Sequence, residues 1–122
     1  MQEKETTTRF TVETFRKFGV QKKRVSVCLE ECQEQGKDTS RWLTVVVFPF
    51  NYEKLVSAIL NELYPADKVQ ALTANFLDAT DEASETEQSK TLEYMSEYYA
   101  YQRWRRWAKR TARCIIESEE EA

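Results

Sequence analysis

The stretch RWLTVVVFPFNYEKLVSAILNEL, Arg41–Leu63, decides the fold, because its apolar residues follow one pattern before Pro49 and another after it. Arg41–Phe48 is dense in β-branched and aromatic residues and predicts a strand, the most buried of the chain. Trp42 and Val45–Val47 are therefore expected in the core. The alternative for this strand is a sheet border that adds a strand from a partner. Past Pro49 the pattern turns helical. Asn51 is a preferred N-cap, with Phe50 and Leu55 placed to staple across it. Tyr52, Leu55, Val56, Ile59, Leu60 and Leu63 then recur at the spacing of a buried helical stripe.

Upstream, Val25, Val27 and Leu29 alternate with Ser26, Cys28 and Glu30, which predicts a strand over Arg24–Glu34. The turn signal Gln35-Gly36-Lys37-Asp38 follows, so this strand and Arg41–Phe48 are expected as an antiparallel hairpin. A competing reading makes Leu29–Gln35 a short helix ended by Gly36. Arg9–Val20 reads as a further strand. Phe10 and Val12 alternate, whereas Phe15 and Phe18 drift toward helical spacing.

Downstream, Pro65 stops the first helix and can occupy the first turn of a second. Val69, Leu72 and Phe76 give that second helix an apolar face, with Leu77 beside it, so the pair is expected as a helical hairpin. Asp78–Lys90 is acidic, either a loop or the solvated start of the last helix, with Ser84 and Glu87 spaced as a capping box. Lys90–Ile116 contains no Gly or Pro and predicts one helix about 40 Å long. A helix of that length crosses a compact domain from side to side, and a protruding end favours contact with a second chain. The expected fold is α+β. A small antiparallel sheet from the N-terminal strands packs on the helical hairpin and the long C-terminal helix. It forms a single domain over 1–122, with 1–8 and 117–122 as flexible tails.

Composition narrows the chemistry. The 122 residues include no histidine and only two glycines, Gly19 and Gly36. Histidine-based triads, the usual zinc sites and glycine-rich phosphate loops are thereby excluded. Cys28, Cys32 and Cys114 are an odd set, read as reduced thiols of a cytosolic chain; Cys28 and Cys32 are expected to be inert rather than metal ligands. Carboxylates are many, but nothing marks out an acid–base pair. No enzyme, cofactor, metal or small-molecule substrate is expected. The charged start MQEKETTTRF does not read as a signal peptide, and no apolar run is long enough to span a membrane. The expected location is cytoplasmic.

One constellation stands apart, YYAYQRWRRWAKRTAR, Tyr98–Arg113. On a helical wheel Tyr94, Tyr98, Tyr101, Trp104, Ala108, Ala112 and Ile115 share one side, with Trp107 and Cys114 at its edge. Arg103, Arg106, Lys109, Arg110 and Arg113 fall opposite, with Tyr99 among them. Arg105 lies near the apolar edge, where its guanidinium can cover a ring. The plainer reading is a buried aromatic side with a basic side that is either solvated or paired with acids of the same chain, such as Glu117, four residues after Arg113. Three functional readings remain beside it: a protein partner, self-association, or nucleic acid held by the cations with Tyr99 stacked on a base. The net charge of −3 favours protein association as the first expectation and leaves nucleic acid as the alternative.

The second half resembles small proteins carried by phages and prophages of gut Bacteroidetes. The matching stretches are NYEKLVSAILNELYPADKVQALTANFLDATDE and EYYAYQRWRRWAKRTAR. They give a capped helix ending in an aromatic residue, a short helix ending Ala-Asn-Phe-Leu, an acidic spacer and a Tyr/Arg-rich final helix. The resemblance implies a mobile-element or virion setting, with the host cytoplasm or the virion as location. It implies no catalytic residue.

Overall fold

Strand β1 (Phe10–Lys17) pairs with β2 (Val20–Glu30), which pairs in turn with β5 (Arg41–Val47), all antiparallel. These assignments come from a computed structural model, which describes residues 9–30, 33–81 and 88–121. Val12 and Val45 flank Val25, and Phe10 and Leu43 flank Val27. Side chains alternate across a strand, so this register puts Val25, Val27, Leu43, Val45 and Val47 on one buried face. The other face is polar at its centre, where the hydroxyls of Ser26 and Thr44 lie 3.0 Å apart. Beside them the Arg24 guanidinium sits over the Phe15 ring at 4.5 Å and 3.4 Å from the Glu13 carboxylate.

The N-terminal reading needs correction in three places. First, β1 ends at Lys17, and the chain reverses through Phe18-Gly19 straight into β2, so Arg9–Val20 is a strand plus a hairpin turn. Second, Leu29 and Glu30 are strand rather than helix. Two short strands, β3 (Gln33–Glu34) and β4 (Lys37–Asp38), then close around Gln35-Gly36, both at positive φ. Third, β2 and not β5 is the central, most buried strand. β5 is a border of the sheet, and it alternates: Trp42 and Val46 are 40% and 50% exposed while Leu43, Val45 and Val47 are buried. A register shift between Cys28 and Glu30 breaks the alternation, and Cys28 is buried although it sits on the Ser26 side.

Helix α1 (Tyr52–Leu63) starts where Asn51 caps it: the Asn51 side-chain oxygen accepts the Lys54 N–H at 2.8 Å. Leu55, Val56 and Ile59 are buried, but Leu63 is exposed. Pro65 is the N-cap of α2 (Ala66–Thr80), one position earlier than expected. Helix α3 runs from Gln88 to Glu121, 34 residues, about 50 Å at the usual rise. It therefore continues through 117–121, where a tail is expected. Residues 1–8, Ser84, Glu87 and Cys32 lie outside the described residues.

By its internal contacts the chain groups into two compact units, Met1–Ile59 with Arg110–Ala122, and Leu60–Lys109. The first holds the sheet. Within it Val25, Val27 and Val47 of the sheet, Leu55 and Ile59 of α1, and Ala112 and Ile115 of α3 are all nearly or wholly inaccessible. Each large side chain so buried contributes about 1.5–3 kcal/mol. Lys23 of β2 reaches Glu119 of α3 at 3.8 Å, which anchors the last turns of that helix. In the second unit, α2 meets the middle of α3 through aromatic rings.

Candidate functional site

The helical period of Tyr98–Arg113 sets one side of α3 apart from the other. In the unit Leu60–Lys109, the Tyr98 ring stacks on Phe76 with centroids 4.1 Å apart and planes at 16°. One turn on, Tyr101 meets Tyr64 edge to face at 5.0 Å. The Gln102 side chain donates to the Tyr98 hydroxyl at 2.8 Å. Trp104 and Trp107 stack at 4.7 Å and 17°. The Trp104 indole N–H is buried with no acceptor among the described residues, so ring packing alone holds it.

The opposite side carries the cations. Arg103 and Arg106 are exposed, Lys109 is half-buried, and Tyr99 is 48% exposed with its ring edge-on to Phe76 at 6.0 Å. In the other unit, Arg110 and Arg113 are exposed while their neighbours Thr111 and Ala112 are buried. The Arg113 guanidinium lies over the Tyr52 ring at 6.0 Å, not against Glu117. Arg105 is exposed and covers no ring among the described residues. Among those residues, ion pairs engage Arg9, Lys23, Arg24, Arg41 and Lys90. None of the six cations between Tyr98 and Ile116 takes part. Among the described residues, this side thus follows the solvated form of the plainer reading and not the paired one.

The other candidates resolve differently. Cys28 is a buried thiol and Cys114 a half-buried one. Among the described residues no helix is long and apolar enough to cross a membrane. One residue that the sequence reading passes over is conspicuous. Phe18, at the tip of the β1–β2 hairpin, is 93% exposed at φ +52°. The signal was available, in an aromatic residue beside a glycine between two basic runs, RKFGVQKK. Comparison of the chain with protein-family models, curated proteins and solved structures finds no match.

Proposed function

We propose that the protein is a non-enzymatic binding protein that holds nucleic acid through the cationic side of α3. Arg103, Arg106, Lys109, Arg110 and Arg113 neutralise phosphates, and the half-exposed Tyr99 stacks on a base. One observation supports this over self-association through the rings. On the aromatic side of α3, Tyr98 and Tyr101 already pack on Phe76 and Tyr64, though the rings stay half-buried, whereas the exposed guanidiniums have no carboxylate partner among the described residues. Guanidinium suits the task, being planar, weakly hydrated and able to grip a phosphate with two donors. The net charge of −3 weighs against nucleic acid for the chain as a whole but not at this stretch. Surface charges act over a Debye length of about 8 Å at physiological salt, and Tyr98–Ile116 contains no acid.

The test is a mobility shift at low salt with wild type and the double variant R106E/R110E. The double variant should bind at least about tenfold more weakly, with an unchanged circular-dichroism spectrum. Wild-type affinity in that variant overturns the proposal.

A second reading, association with a protein in a phage or mobile-element assembly, draws on Leu63, Leu77 and Leu92, which are exposed in the unit Leu60–Lys109. The resemblance of the second half to phage-borne proteins supports setting either role in a mobile element, in the host cytoplasm or the virion. A strict monomer by light scattering together with a pull-down that finds no protein partner sinks the association reading. A gene neighbourhood of capsid and tail genes supports assembly; one of recombination genes supports nucleic acid.

A further inference from the structure

We propose that the tip of the β1–β2 hairpin is a second contact for nucleic acid, specific for unpaired bases, with Phe18 as the stacking platform and Arg16, Lys17 and Lys22 as its phosphate contacts. The proposal shares its partner class with the reading of α3 but uses no residue of that helix.

The turn is a two-residue reversal between Lys17 and Val20, with φ +52° at Phe18 and +74° at Gly19. Positive φ at both positions is the geometry that Asn-Gly fills at least cost, because a short polar side chain tolerates the left-handed region and a bulky one does not. Phenylalanine is the wrong residue for the turn, and it is wrong for solubility too, since its ring is 93% exposed. Nothing lies within 4 Å of the point where a side chain would begin at Gly19, so the tip stands in open space. Its one ring contact is the Lys17 ammonium, 5.8 Å from the centroid.

The charge around it is one-sided. Residues 14–29 hold five cations and no acid. Two of the five are engaged within the same unit: Arg24 with Glu13 and Phe15, and Lys23 with Glu119 and the Phe50 ring at 5.1 Å. Arg16, Lys17 and Lys22 are left, and none of them meets a carboxylate among the described residues. Pairing of Lys17 with Val20 and of Phe15 with Lys22 puts Lys17 and Lys22 on one face of the ribbon and Arg16 on the other. The ring thus projects ahead of cations on both faces, the combination with which a backbone is tracked and a base is stacked.

A duplex offers the ring no free base face except at its ends, so single strands are the expected ligand. An anionic membrane is the poorer fit. Only Phe18 and the 37%-exposed Val20 are apolar at the tip, and burying the ring would draw the Lys17 ammonium in with it.

The experiment measures fluorescence anisotropy of the full chain at low salt with labelled oligothymidylate, with a blunt duplex of equal length, and with phosphatidylserine vesicles. The variants are F18N, F18W, K17E/K22E and R106E/R110E. F18N suits the turn better than the native residue, so it should melt no lower than wild type while binding oligothymidylate about tenfold more weakly. F18W should retain affinity, and K17E/K22E should lose it and flatten its salt dependence. Equal affinity of F18N and wild type for oligothymidylate overturns the hairpin proposal. So does vesicle binding that F18N abolishes in the absence of oligonucleotide binding. Loss in R106E/R110E with none in F18N removes the hairpin and leaves α3. The converse removes α3 and leaves the hairpin.

Discussion

Asp38, in the short β3–β4 hairpin, is a fully exposed carboxylate held below its ordinary pKa of 3.8, first by the Ser40 side chain, then by the Ser40 backbone N–H at 3.0 Å and by Arg9 at 3.6 Å. A carboxylate whose pKa is lower folded than unfolded adds stability that is complete above the unfolded value and disappears as pH falls through the folded one. Melting curves of wild type and Asp38→Asn should therefore differ by a constant amount near neutrality and converge at pH values below 3.8. A gap that persists unchanged into that acid range contradicts the assignment. Legibility at this scale followed the strength of the local rule. Asn51 reads directly as a cap because its side chain satisfies a donor three residues on. Phe18 does not read as a turn residue, because the turn it occupies is usually written with asparagine. The Arg113–Glu117 pair reads naturally from spacing, yet Arg113 turns to Tyr52, a residue far away in sequence.

At the scale of the element, α1 offers a clean test. Asn51→Ala leaves the Lys54 N–H without its partner and should lower stability by about 0.5–2 kcal/mol in urea unfolding, with Asn51→Asp restoring most of it. No loss in the alanine variant means that the cap contributes nothing. The helices were legible because an apolar stripe of period 3.6 has no strand counterpart. The sheet was legible in type but not in order. Val45-Val46-Val47 reads as a buried run, but alternation puts Val46 on the face of Ser26 and Thr44, which is left exposed, and no local pattern tells that only one face is covered. The end of α3 was hidden for a different reason. Glu117–Glu121 is polar enough to pass for a tail, and the contact it makes, Glu119 with Lys23, is with a residue far away in sequence.

At the scale of the whole molecule, charge is segregated along the chain. The acids lie mainly before Tyr98 and after Ile116 of α3, and the basic runs fall at the β1–β2 hairpin and between those two residues. The two faces of Tyr98–Arg113 were legible from periodicity alone. What covers the ring face was not, because Tyr64 and Phe76 reach it from a helix pair whose packing no local pattern records. The central claim is that phosphates replace counterions along the cationic side of α3. Its most direct measurement is the salt dependence of oligonucleotide binding by the wild-type chain. With about five phosphates neutralised by α3, the logarithm of the association constant for duplex should fall against that of salt concentration with a slope of about −4.5. A slope near zero, or an affinity that rises with salt, contradicts the account.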